Sequence, residues 1–266
     1  MLILLSPAKN MNFDPAPGTP RATKPVFLKD TAELSETTLK LTKAKIKSLM
    51  SISENLAELN FERFQAFNPD GKSESLKQAA LAFNGDVYLG LDANSLSTDD
   101  LKRAQDKIRI LSGLYGLLRP LDAIQPYRLE MGSKLKNTRG KNLYEFWGAQ
   151  IANEIDKSLK GHEDPTVVNL ASNEYFSAVD RAALKAPVIT PIFKEEKDGK
   201  LRQLQFYAKR ARGIMARWSV ENQIDRAEDL KNFDVDGYRF RASDSTDDTW
   251  LFARPQPPLK KPPKKK

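Results

Sequence analysis

The chain has 266 residues, 40% of them hydrophobic, with no cysteine, one histidine and a formal net charge of +8. That is enough to bury a core as one large domain or two small ones, while the lack of cysteine excludes disulfides, thiolate nucleophiles, iron–sulfur clusters and thiolate zinc sites and suits a reducing compartment. Lys260, Lys261, Lys264, Lys265 and Lys266 supply five of the eight charges, so the body is only mildly basic and the tail PPLKKPPKKK is an extended, self-repelling segment attracted to phosphate polymers. No apolar run reaches a membrane span and no signal peptide is recognisable, so no membrane partner is expected. His162, alone in the polar loop GHEDP, reads as solvated. A Ser-His-Asp set is therefore not expected, a metal would have to be held by carboxylates and carbonyls, and no metal site or cofactor is expected.

Leu2 to Leu5 reads as a buried strand delivering Ser6 and Lys9 to a loop at its carboxyl end, where ligands gather in α/β sheets; a solvated loop lysine is the plainer reading of Lys9. Asn12 to Pro25 is an irregular connector. Thr31 to Met50 reads as one helix with Leu34, Leu41, Ile46 and Leu49 inward and Lys40, Lys43 and Lys47 in a row that is ordinarily a solvated face. Ser51 to Ala57 then carries the rhythm of a helix-hairpin-helix turn, with Ser51 and Ser53 where glycines are commonest and Ser53 capping the second helix. Such a turn offers backbone N–H groups and a helix N-terminus to one phosphate, although an ordinary serine cap accounts for the same residues. Phe61, Phe64 and Phe67 have core spacing. A helix is expected near Ser75 to Leu81, and Gly85-Asp86 comes after it.

From Leu101 a helix, opened by a capping box at Ser97 and Asp100, is expected to run into Ser112-Gly113. The run from Arg109 to Gly132 is crowded with conformational specialists. Gly113 and Gly116 turn the backbone, making a second candidate for the phosphate-binding hairpin, and Pro120 and Pro126 stiffen the segments on either side of Ile124. Arg119, Asp122, Gln125, Tyr127, Arg128 and Glu130 are expected to converge with Tyr115 as the wall of a site, with Asp86 beside it.

Tyr144, Phe146 and Trp147 open a helix to Leu159. Val167 to Leu170 is a second buried strand whose exit, Ala171 to Tyr175 with Glu174, parallels that of the first, so the two polar exits point to one crevice. Val188 to Phe193 and Leu201 to Phe206 read as a hairpin about Asp198-Gly199. In the next helix, at about 100° per residue, Tyr207, Ala211, Ile214 and Trp218 take one side and Lys209, Arg210, Arg212 and Arg217 the other. Gly213 costs that helix about 1 kcal/mol, which points to a close approach by a phosphate or another backbone, although a solvated basic face is the plainer reading of these residues. Tyr238 to Phe240 and Trp250 to Phe252 are late strands around an acidic loop, Asp244 to Asp248, read as a turn rather than a cation site.

Several long motifs carry a resemblance: SPAK at Ser6 to Lys9, AFNGDVYLGL at Ala82 to Leu91, LSGLYGLLRPLDAIQPYRLEMG at Leu111 to Gly132, LYEFW at Leu143 to Trp147, NLASNEYF at Asn169 to Phe176 and FYAKRARG at Phe206 to Gly213. In this order, from Met1 to about Phe252, they are similar to the YaaA family of bacterial peroxide-stress proteins. The resemblance implies a cytoplasmic protein that limits oxidative damage to DNA by lowering free intracellular iron. It also implies a single compact mixed α/β domain of unusual topology that binds DNA through a basic cleft and a helix-hairpin-helix element. The domain is placed at residues 1–253 and a disordered Pro/Lys-rich tail at 254–266.

Two functions are open to these residues. In the first, Lys40, Lys43, Lys47, Ser51, Ser53, Lys209, Arg210, Arg212, Gly213 and Arg217 contact the backbone of duplex or distorted DNA without reading bases, and iron is lowered indirectly. In the second, the cleft of Ser6, Lys9, Tyr115, Arg119, Tyr127 and Arg128 takes a small phosphorylated or carboxylated molecule. Lys9, Arg119 and Arg128 would neutralise the anion there, while Asp86, Asp122, Glu130 or Glu174 moves protons. Each arginine–carboxylate pair also reads as a plain structural bridge, and whether the protein is an enzyme is left open.

Overall fold

The computed structural model describes residues 1–16, 18–73 and 75–258. Its centre is a mixed sheet built from short, branched, fully buried segments. The strands are β1 (Leu2–Leu5), β2 (Ile108–Ser112), β3 (Gly116–Leu118), β4 (Val167–Asn169), β5 (Val188–Lys197), β6 (Lys200–Arg202), β7 (Arg239–Phe240) and β8 (Thr249–Pro255). Their order is β7-β8-β5-β4-β1-β2-β3, with β6 paired to β5. The five strands from β8 to β2 are parallel, while β3, β6 and β7 are antiparallel additions. Parallel strands covered on both faces need apolar side chains on both, which Leu2, Ile3, Leu4 and Leu5 supply at 0% exposure. Because they are parallel, their carboxyl ends all open on one edge of the sheet.

The helices are α1 (Leu28–Leu39), α2 (Lys43–Met50), α3 (Glu54–Ala66), α4 (Asp86–Leu91), α5 (Thr98–Lys107), α6 (Leu143–Trp147), α7 (Gln150–Ser158) and α8 (Gln205–Glu221), with single turns at Ala79–Ala82 and Asn173–Phe176. Helices α5 and α8 pack on each other and on β1. Helices α2 and α3 form a separate small cluster about Ile46, Met50, Ala57 and Phe64.

Several expected elements differ. The helix expected over Thr31 to Met50 is two helices, because Thr42 accepts from Lys45 N at 3.3 Å and caps a new start. The helix expected to reach Ser112 ends at Lys107, and Ile108–Ser112 is strand β2, where Ile108 and Ile110 pair with Ile3 and Leu5. The capping box at its start is present, with Asp100 N donating to Ser97 Oγ at 3.1 Å. The helix expected at Ser75 to Leu81 is reduced to one turn after a bridge of Lys77–Gln78 with Ala123–Ile124. Gly148, at φ +46, splits α6 from α7 where one helix to Leu159 was expected. The hairpin about Asp198-Gly199 forms, but its second strand stops at Arg202 and Phe206 lies in α8. Strand β8 continues through Arg254 and Pro255, two residues into the segment expected as tail. The lysines beyond residue 258 lie outside the described residues.

Candidate functional site

The exits of β1 and β4 do share a crevice. Ser172 N donates to Ser6 Oγ at 2.8 Å, the two hydroxyls lie 3.3 Å apart, and Tyr88 OH donates to Ser6 O at 3.1 Å. A Cβ on Gly85 would stand 3.0 Å from Ala8 Cβ, so the start of α4, with Asp86, rests on the loop that carries Lys9. At the end of β2, Ser112 Oγ and Tyr127 OH are 2.6 Å apart, and the chain then delivers Arg128 and Glu130 to the same edge. Arg128 Nε and Nη2 donate to Glu130 Oε1 at 3.2 and 2.9 Å, and Lys9 Nζ approaches the same oxygen at 3.4 Å. The other oxygen, Oε2, is buried with no hydrogen-bond partner among the described residues. Glu174 Oε1 accepts from Gly132 N at 3.0 Å.

The electrostatics favour an anion above this notch. Burial first, and repulsion from the Arg128 charge second, lower the pKa of Arg63 on α3, so both guanidinium groups gain from an anion. Burial pushes the hydroxyls of Tyr88, Tyr127 and Tyr175 far above their ordinary range, so all three stay neutral. The cavity among Lys9, Tyr127, Arg128, Glu130 and Tyr175 is only about 10 Å³, room for one water, so a ligand would lie over the notch rather than inside it.

Other expected members lie elsewhere. Arg119 and Asp122 sit by Arg109, near the start of β2, about 10 Å along the strand from Ser112. Asp122 is fully buried, accepting from Thr23 Oγ1 at 2.6 Å, Arg119 N at 2.8 Å and Arg119 Nη2 at 2.9 Å. The run from Arg109 to Gly132 thus feeds both ends of the sheet. Tyr115 is 1% exposed, its hydroxyl accepting from Gln125 N at 3.0 Å. Its flanking turn is buried too, with Gly116 under the Trp147 ring and Gly113 against Leu129 O, which removes it as a phosphate-binding hairpin.

The α2–α3 hairpin is at the surface. Ser51 adopts φ +51 directly after α2, and Ser53 Oγ caps α3 by accepting from Leu56 N at 3.4 Å. Lys43 and Lys47 are paired with Glu58 and Glu54 of α3, and Lys40 is exposed at the end of α1. On α8, Lys209 and Arg210 are exposed, and Arg212 is half-buried between the buried Ala208 and Ala216 one turn to either side. Arg217 is bound to structure, donating to Asp92 O at 2.9 Å and Ser95 Oγ at 2.8 Å and pairing with Glu221 at 2.7 Å. Gly213 meets backbone, not open surface: it lies against Val87 of α4. Arg63 carries no local signal in the sequence, being one charge among several on its helix, and Tyr175 is marked there only as the end of the polar exit of β4.

The fold defines a mixed α/β protein whose parallel strands end in a cation-lined notch around one carboxylate. The family described as peroxide stress protein YaaA matches residues 1–244, and the chain belongs to it. It is 58% identical over 257 residues to a UPF0246 protein of Maricaulis maris, covering 97% of each chain. It is 57% identical over 258 residues to one of Phenylobacterium zucineum (97% of this chain, 96% of that one), and 52% identical over 254 residues to one of Ralstonia pickettii (96% and 99%). Among the described residues no helix is long and apolar enough to cross a membrane.

Proposed function

We propose that this chain is a peroxide-stress protection protein that holds duplex or distorted DNA by its phosphate backbone. On this reading it also helps limit iron-driven damage by lowering free intracellular iron. The observation that carries the DNA reading is the α2–α3 hairpin. Its turn is exposed, Ser51 takes the left-handed conformation that glycine ordinarily supplies, and Ser53 caps α3. A phosphate at that turn would meet the free N–H groups and positive end of α3. Arg63 lies nine residues further along α3, about 14 Å away, so DNA seated on the turn would run toward the notch at Arg128. Iron lowering rests on the resemblance alone; the matching family is described as a peroxide stress protein and nothing more. Among the described residues no three of His, Asp and Glu gather as a metal site, and storage is not assigned to this chain.

Ser53→Asp tests the hairpin. Aspartate caps as well as serine, so the fold should keep its stability, while its charge repels a phosphate. Fluorescence anisotropy with a labelled duplex of arbitrary sequence should give binding that weakens by about 0.9 logarithmic units per phosphate contact for each tenfold rise in salt and is lost in Ser53→Asp. Undiminished binding by the variant would exclude the hairpin.

A second reading is favoured by Glu130. A buried carboxylate oxygen with no donor, beside Lys9 and Arg128, is arranged to accept a proton or a hydroxyl from an anionic small molecule. Thermal stabilisation by a nucleotide or acyl phosphate that vanishes in Arg128→Ala supports this reading; its persistence in the variant excludes it.

A further inference from the structure

The opposite edge of the sheet holds a second cationic site that neither reading uses. Arg109, near the start of β2, is 8% exposed. Its Nη1 is spent on the carbonyls of Gln105 (2.9 Å), Asp106 (3.3 Å) and Ile108 (2.8 Å), and its Nε donates to Ser158 Oγ at 3.3 Å. Nη2 has no hydrogen-bond partner and the guanidinium no ion pair among the described residues. Asp122, Asp106 and Glu154 act on this guanidinium only from beyond ion-pair distance, so an anion at Nη2 would be its first direct counter-charge among the described residues. Burial, helped by Arg119 and opposed by Asp122, Asp106 and Glu154, holds Arg109 below the usual arginine range, at about 10.

Arg109 lines a cavity of about 380 Å³, a size that suits a small metabolite. Four cations face it: Lys24, Arg109, Arg119 and Lys157. Two are already compensated, Arg119 by Asp122 at 2.9 Å and Lys157 by Glu154 at 3.3 Å. Lys24, which is exposed, and Arg109 are in no ion pair among the described residues, so two cations at the cavity are free to hold an anion directly. Val26, 46% exposed, and Leu117 give it an apolar side. Two unpaired cations beside an apolar wall match one dianionic head group on a carbon body.

We propose that this cavity binds a small phosphate monoester, its dianionic phosphate between Arg109 Nη2 and Lys24 and its organic part on Val26 and Leu117. The site is distinct from the Glu130 notch, which lies beyond the other end of β2. Both charges of the ligand are needed, so affinity should fall as the phosphate takes up its second proton below about pH 6.

The test is calorimetric titration of the full chain with ribose 5-phosphate, inorganic phosphate and a duplex DNA, at constant ionic strength. Ribose 5-phosphate is expected to bind saturably and more tightly than inorganic phosphate. Lys24→Glu, a change at an exposed residue that leaves folding intact, should weaken it at least about tenfold by replacing an attraction with a repulsion. Glu154→Gln should tighten it by about threefold, since one competing carboxylate is removed. Arg109→Met should abolish binding, but Lys24→Glu decides if that variant does not fold. The proposal is overturned if no monoester binds up to about 10 mM, if Lys24→Glu binds as tightly as the parent, if binding is lost in Arg128→Ala instead, or if duplex DNA alone binds.

Discussion

Gly90 on α4 and Gly213 on α8 are reciprocal. A Cβ on Gly213 would stand 1.8 Å from Val87 O, and one on Gly90 would stand 2.2 Å from Arg210 O. Each glycine admits the other helix's backbone, which no side chain could do. A glycine-to-alanine change inside a helix ordinarily stabilises it by about 1 kcal/mol. Here Gly213→Ala is expected to destabilise by about 2–4 kcal/mol, because backbone rather than a flexible side chain must move. Urea denaturation measures this directly, and a stabilised variant would mean that the two helices do not cross at these residues.

That pair also marks what the sequence could and could not convey. The motif FYAKRARG reveals a glycine in a basic helix and predicts a close approach, but nothing local says whether a phosphate or another chain segment makes it; Val87 lies more than a hundred residues away. Strands β1 and β4 are legible because Leu2–Leu5 and Val167–Asn169 are short, branched and succeeded by turn residues. Strand β2 is not, since Ile108 to Leu111 continues the spacing of α5 and only pairing with β1 makes it a strand. The crevice at Ser6 and Ser172 could be anticipated from two strand exits. The division of Arg119 and Arg128 between opposite ends of the sheet comes from the reversal at Gly116, which a run of arginines does not disclose.

The acids on α3 set the affinity of the hairpin in the DNA reading. Lys43 and Lys47 are occupied by Glu58 and Glu54. These pairs are exposed and contribute little to stability, so removing the acid should free the lysine without unfolding the hairpin. Glu54→Gln and Glu58→Gln together are expected to tighten duplex binding by about threefold to tenfold at low salt and to steepen its salt dependence. Anisotropy titrations at two salt concentrations read both. Unchanged affinity with unchanged slope would place the DNA away from α2.

His162 makes stability depend on pH. Its Nδ1 lies 3.0 Å from Met1 O, and its pKa is lowered from 6.5, first by burial and then by the N-terminal ammonium. The folded protein therefore binds the proton less readily than the unfolded chain. Above pH 6.5 both states are neutral and nothing is lost; as the pH falls below it the unfolded state gains the proton first, and stability declines until the lowered folded value is passed. His162→Asn, which keeps an amide nitrogen near the Nδ1 position, should show a flatter decline between about pH 7 and pH 5 in urea midpoints. An identical slope in the variant assigns the decline to other groups.

Arg217 and its neighbours on α8 divide by their partners. Arg217 ties α8 to the end of α4 through Leu91 O, Asp92 O and Ser95 Oγ, so Arg217→Ala leaves those acceptors without their donor and should destabilise by about 1–3 kcal/mol. Lys209 and Arg210 are exposed and make no ion pair among the described residues. Their exchange for glutamate should leave the unfolding free energy within about 0.5 kcal/mol of the parent. In the DNA reading the two sets also separate by binding: Arg217→Ala keeps the parent affinity at temperatures where it is folded, and Lys209→Glu with Arg210→Glu loses most of it. If the double variant binds like the parent, α8 faces away from the nucleic acid, and the hairpin with Arg63 must carry the contact alone.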